Sequence, residues 1–190
     1  MTYTTGILIF DQLEELDAIG PWEIFTMAAE VRGSGKVVTI SQNGGIVKCA
    51  KGLRIVADHS FETAPPLDII LVPGGMGTRT EVNNKAVIDW IAKVAPGCTW
   101  VTSVCTGSML LIEAGPARGK RVTTHWAFVD TLRERGGAAE VVDDMRFVRD
   151  GNVVSSDGVS AGIDMSLWLI GQTDSPAFAR DVQKRIEYDP

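Results

Sequence analysis

Residues 101–111, Val-Thr-Ser-Val-Cys-Thr-Gly-Ser-Met-Leu-Leu, read as a buried strand, a single polar residue and a helix, with Cys105 alone at the junction. The strand is expected over 99–104 and the helix over 106–114. Ser103 and Gly107 are small enough to let the chain turn sharply between them, which is how a nucleophile elbow looks when Cys replaces Ser. A lone cysteine is otherwise most often a buried core residue. The elbow setting distinguishes this one. A thiol there points along the start of the helix opened by Thr106, whose partial positive charge is expected to favour the thiolate and lower its pKa.

Working outward, strand-length apolar runs alternate with longer amphipathic ones from end to end of the 190 residues. Upstream, residues 5–10 and 68–72 (DIILV) are apolar on both faces, as strands covered by helices on each side should be. Gly20 and Pro21 are expected to open the first helix, which stops near Gly33. Residues 37–41 form a further strand, and Asn43, Gly44 and Gly45 turn the chain into edge strands at 46–49 and 53–57. Val87, Ile88, Ile91 and Val94 share one helix face, closed by Pro96 and Gly97. Downstream, residues 121–124 give a short strand, and a helix carrying Phe128, Val129 and Leu132 ends at Gly136. Asp150 and Gly151 centre a hairpin. Two helices finish the chain, one over 161–170 and one capped by Ser175 with Pro176 at its first position. The alternation predicts one α/β domain over 1–190, flavodoxin-like, with a mostly parallel central sheet, helices on both faces and small edge hairpins.

In such sheets reacting groups collect at the carboxyl ends of the strands. The residues that follow those ends are Asp17, Gly74 and Gly75, Cys105 and His125. Pro73, Gly74 and Gly75 suit a turn where backbone approaches a ligand, and the Gly75 and Thr106 amides are candidates for receiving developing negative charge. Asp17 sits in a loop able to reach the mouth of the sheet, although acids near helix starts usually serve as caps. Glu14 and Glu15 are expected to be exposed. His125 could approach Cys105 as a base or hydrogen-bond partner, or serve only to open a helix. His59 lies in a polar, loop-like stretch without a companion. Of the five Trp residues, Trp126 is the one expected to line a pocket.

The net charge of −6 disfavours nucleic acid as a partner. No apolar run approaches the roughly 18 to 20 residues that span a bilayer, and no leader pattern is present, so a cytoplasmic setting is expected. Cys49, Cys98 and Cys105 form neither a metal spacing nor an even disulfide framework, so no structural metal is expected. Cys49 and Cys98 read as small hydrophobes. Neither a GxGxxG fingerprint nor a P-loop occurs, and no cofactor is expected.

GILIF (6–10), LDAIGP with Asp17, ILVPGG with Gly74 and Gly75, VTSVCTGS with Cys105, GKRVTTHW with His125, VRDGN and SAGIDMSL together resemble the ThiJ/PfpI superfamily. They cover nearly the whole chain in order. The resemblance implies a class I glutamine amidotransferase-like fold, a homodimer with the site near the interface, and no cofactor. Thr106 stands where protease-like members carry His after the cysteine, and Asp17 where many members carry Glu. Both features resemble the isocyanide hydratase branch. That branch implies hydration of an organic isocyanide to an N-substituted formamide through a thioimidate on Cys105, with Asp17 moving the proton. Ser156 and Asp157 depart from its glycine-rich pattern, which bears on the pocket wall near Val159. A non-catalytic ligand- or redox-sensing module, as in AraC-type regulators, and glyoxalase-like chemistry on small dicarbonyls are the alternatives.

Overall fold

The computed structural model describes residues 2–189. The elements run β1 (Thr4–Leu8), α1 (Glu15–Arg32), β2 (Lys36–Ser41), β3 (Gly45–Lys48), β4 (Arg54–Ala57), β5 (His59–Ser60), β6 (Ile69–Val72), α2 (Thr78–Glu81) and α3 (Lys85–Val94). They continue with β7 (Trp100–Val104), α4 (Gly107–Ala114), β8 (Arg121–Val122), α5 (Val129–Arg135), β9 (Glu140–Val141), β10 (Phe147–Asp150), β11 (Val153–Ser156), α6 (Ala161–Thr173) and α7 (Pro176–Arg185).

Seven strands form the main sheet in the order β10-β11-β7-β6-β1-β2-β5. Every neighbouring pair is parallel except β10 with β11. The register sets Gly6 beside Ile70, Ile70 beside Val101 and Val101 beside Val153. All residues of β6 and β11, and all but the first of β7, are buried, so both sides of these strands are covered. Helices α1, α6 and α7 pack together, and α4 packs with α2 and α3. Apolar side chains from Ile7 to Val182 join one core cluster.

Four differences from the sequence reading have physical causes. Helix α1 begins at Glu15, six residues before Pro21, which lies inside it. The chain ahead is already fixed, because Leu13 bridges Gly75 and Glu14 N–H donates to Gly74 O at 3.0 Å. That anchoring offsets the single helical bond that proline forgoes. Strands β3 and β4 pair only with each other and are tied to the main body by Gln12 N–H to Lys48 O and Ala50 N–H to Leu13 O, each 2.8 Å. The β10–β11 turn falls at Gly151 and Asn152, one residue later than expected, since Asp150 pairs with Val153. His59 belongs to a strand, not a loop, pairing beside Ile40 at the sheet edge.

Candidate active site

The carboxyl ends of β1, β6 and β7 converge on Cys105. Its backbone is left-handed, φ 56°, a conformation that costs an L-residue about 1–2 kcal/mol. Neighbouring groups impose it. The Cys105 N–H is shared between the carbonyls of Ser156 and Asp157, both at 3.2 Å, while its carbonyl accepts from Thr124 Oγ1 at 3.0 Å and Ser108 Oγ at 3.2 Å. Ser156 and Asp157, where the sequence departs from the hydratase pattern, therefore hold the elbow through their main chain. The turn also needs Gly107, since a Cβ there would meet Val72 O at 2.1 Å.

Asp17, in the first turn of α1, is fully buried beside the sulfur. Its Oδ2 accepts from Gly74 N–H at 2.9 Å and its Oδ1 from Val159 N–H at 3.2 Å. The Cys105 thiol lies within hydrogen-bonding reach of the same carboxylate. Gly74 thus orients the acid. Val159, with φ 53°, is held in an uncommon backbone conformation for a β-branched residue that directs its N–H at Asp17. Burial raises the Asp17 pKa to about 7 against the pull of its amide donors, and the charge of Glu14 adds to the rise.

The expected low thiol pKa is overturned. Burial, followed by the charge of Asp17, pushes the Cys105 thiol up to about 12, and the Thr106 amide and hydroxyl only partly offset this. Two anions side by side in a buried pocket repel strongly, so the thiol keeps its proton once Asp17 has ionised above about 7. Cys49 and Cys98 are buried free thiols, both pushed up to about 11 chiefly by burial.

The expected pairing of Gly75 and Thr106 amides is also changed. Gly75 has φ 115°, and a Cβ on it would sit 2.3 Å from Glu14 N. Its N–H donates to Thr106 Oγ1 at 3.1 Å, whereas the Thr106 amide points to the sulfur. Thr78 Oγ1 lies 2.8 Å from Gly75 O and 3.0 Å from Thr106 Oγ1. Arg79 Nη1 reaches the same group, at 2.9 Å from Gly75 O and 3.4 Å from Thr106 Oγ1.

Above the sulfur opens a cavity of about 260 Å³, just below the roughly 300–1,000 Å³ usual for sites of organic ligands. Cys105, Thr106, Gly75, His125 and Val159 line it. The His125 ring packs against Gly158, where a Cβ would fall 2.2 Å from its Cδ2, and its Nδ1 accepts from Ala127 N–H at 3.2 Å. Trp126 does not line the cavity. It is 74% exposed, beside His125, and Ala127 and Phe128 take the wall instead. Glu14 also faces the cavity, and its side chain is only 16% exposed through pairing with Lys51. Glu15 is half-buried, with Oε1 accepting from Lys51 N–H at 2.6 Å.

Glu14 and Arg79 are the site residues that sequence reasoning missed. Arg79 lies in a four-residue helix too short to show periodicity, and the one available signal was its position just after the GGMG turn. Among the described residues, no group of three or more His, Cys, Asp or Glu is placed to hold a metal ion, and no helix is long and apolar enough to cross a membrane.

A parallel α/β sheet with a thiol on a left-handed residue between strand and helix, and an acid from the helix after β1 against that thiol, defines the cysteine-elbow class of α/β proteins. Residues 5–172 match the DJ-1/PfpI family, and the chain belongs to it. It is 38% identical over 190 residues to the isonitrile hydratase of Pseudomonas putida, covering all of this chain and 80% of that protein. It is 30% identical over 147 residues to the HTH-type transcriptional regulator CdhR of Pseudomonas aeruginosa, covering 77% of this chain and 43% of that protein. In fold it is similar to a THiJ/PfpI family protein from Pseudomonas syringae, with TM-score 0.91 and 28% identity over 100% of this chain and 76% of that one. Drosophila melanogaster DJ-1beta has the same fold, with TM-score 0.86 and 22% identity over the full length of both chains.

Proposed function

We propose that the protein hydrates a small organic isocyanide to an N-substituted formamide, with Cys105 as nucleophile and Asp17 as the proton-transfer group. One observation supports this above the others: the fully buried Asp17 carboxyl, raised to about 7 by burial, stands beside a thiol at the floor of a small cavity. Similarity to isonitrile hydratase over the whole chain supports the choice of substrate.

Asp17 accepts the thiol proton as sulfur bonds to the terminal isocyanide carbon, so no free thiolate need accumulate. The same carboxylic acid then delivers that proton to the carbon, giving a Cys105 thioimidate, S–CH=N–R. Water adds to this carbon, its oxygen losing one proton while the nitrogen gains one. Collapse of the tetrahedral adduct breaks the C–S bond, returns a proton to the sulfur and releases the formamide. The Thr106 amide beside the sulfur steadies the negative charge that develops there on attack and departure. His125 forms part of the wall around the substituent R.

The test is incubation with cyclohexyl isocyanide, following N-cyclohexylformamide by chromatography and the intact protein mass for an adduct on Cys105. Formamide formation that Cys105→Ala abolishes is the expected outcome, and full activity in that variant would refute the covalent route. The similarity to CdhR favours a second reading, a ligand-sensing module, which predicts saturable metabolite binding without turnover. Methylglyoxal, run alongside, tests the glyoxalase-like alternative.

We also propose a homodimer. Ile46 and Val56 pair across the β3–β4 hairpin and are 68% and 66% exposed. The turn joining these strands brings Ala50 to the cavity wall, so a second copy on this face would border the site.

A further inference from the structure

We infer that the substituent R carries an anion, a carboxylate being the smallest choice, and that Arg79 selects it. The inference rests on the hydratase reading for the reacting group, whereas its claim about charge at the Cys105 cavity stands separately.

Arg79 lines the same cavity as Cys105. One edge of its guanidinium is fixed, because Nη1 donates to Gly75 O at 2.9 Å with Thr78 Oγ1 at 3.1 Å. One face is fixed as well, with Cζ 4.6 Å from the centre of the Phe128 ring. All three acceptors it reaches are uncharged, and all are reached through Nη1. Among the described residues no carboxylate pairs with it, so Nε and Nη2 retain their donors. A guanidinium held by one edge and one face presents its remaining fork in a set orientation, and that fork matches a carboxylate better than a neutral group.

The other polar groups facing the cavity do not compensate this charge. Glu14 is paired with Lys51. Asp17 is fully buried beside the sulfur and does not line the cavity. His125 Nδ1 is occupied by Ala127 N–H. A small molecule with an isocyanide at one end and a carboxylate at the other would place its reactive carbon at Cys105 and its anion on Arg79. Such an isocyanide would be supplied by a reaction that builds the N≡C group on an amino acid's nitrogen and leaves the acid intact.

Alkylation of Cys105 by iodoacetate and by iodoacetamide tests the charge directly, since the two reagents share their reacting carbon and leaving group and differ in carboxylate against amide. The ratio of the two rate constants, read by intact mass at pH 7.5 and low salt, should fall roughly tenfold in Arg79→Gln and less in Arg79→Lys. An unchanged ratio overturns the inference, even if both rates fall together. Should Arg79→Gln fail to fold, propionate and propionamide are compared as protectants of wild-type Cys105 against iodoacetamide. Protection by the acid alone supports the inference, and equal or absent protection overturns it.

Hydration of isocyanoacetate against its methyl ester supplies the second ratio, which should fall similarly in Arg79→Gln. Alkylation selectivity without hydration of either compound leaves the anion site standing and removes the hydratase reading. Hydration without any Arg79-dependent ratio does the reverse.

Discussion

The behaviour of the site turns on the protonation of Asp17 beside the Cys105 thiol. Below about 7 the acid is protonated and cannot accept the thiol proton, so kcat/KM for a neutral isocyanide should rise as pH passes through that value. Asp17→Asn should lack this rise and lose roughly 10²–10⁴-fold of the rate, the usual contribution of a positioned proton-transfer group. A pH profile in the variant that kept the wild-type limb would remove Asp17 from the mechanism. Stability carries the same signature with a definite sign. Unfolded, Asp17 ionises near 3.8, and folded near 7. Between these values the unfolded chain has released a proton that the native protein retains, so stability falls as pH rises and levels off above about 7. Asn does not titrate. Urea unfolding of wild type and Asp17→Asn at pH 4.5 and 8 should therefore show the variant gaining on wild type by a few kcal/mol, since each pH unit crossed between the two ionisation points is worth about 1.4 kcal/mol. Parallel behaviour would contradict the buried acid. The elbow conformation makes a further residue-level prediction. At φ 56° Cys105→Gly should be about 1 kcal/mol more stable than Cys105→Ala, measured by denaturant midpoint with both variants inactive.

At the scale of elements, the site depends on how closely α4 docks onto the end of β6. Gly107 allows that approach, and Gly107→Ala should cost roughly 2–3 kcal/mol and lower isocyanide turnover by shifting Thr106 and Cys105 together. Gly97 has nothing within 4 Å of a built Cβ, and Gly97→Ala should change stability by no more than about 0.5 kcal/mol. Comparable losses in both variants would mean that the α4 contact is not tight. The same contrast explains what the sequence allowed. Strand β6 was legible because burial on both sides makes it continuously apolar, β1 because Gly6 to Phe10 form an apolar run, and β7 with its elbow because small residues flank a lone cysteine. The start of α1 was hidden because Pro21 imitates a helix opening, whereas the actual start is set by the pairing of Leu13 with Gly75 across the fold. Arg79 and Glu14 were hidden for a related reason. Their place at the cavity follows from tertiary contacts with Gly75, Phe128 and Lys51, which leave no periodic trace in their own segments.

At the scale of the whole molecule, helices cover the main sheet while the β3–β4 hairpin stands apart with Ile46 and Val56 two-thirds exposed. Leu53, 47% exposed, precedes β4, and Met76, 64% exposed, lines the Cys105 cavity. Exposed apolar side chains paired on one face commonly mark an interaction site, and a symmetric pair of copies is the commonest arrangement that buries such a face. Ile46 and Val56 are on one face of a hairpin whose connecting turn contributes Ala50 to the cavity, so burying that face would narrow the entrance as well as join the copies. Sedimentation velocity should show a dimer for the wild type, and Ile46→Lys combined with Val56→Glu should shift it to monomer. The monomer should keep Cys105 in place, since neither residue contributes to the main core, but with a wider cavity mouth it should lose selectivity for small isocyanides over bulky ones. A wild-type monomer across the micromolar range would overturn the dimer, and a dissociated variant with unchanged size selectivity would separate assembly from the site.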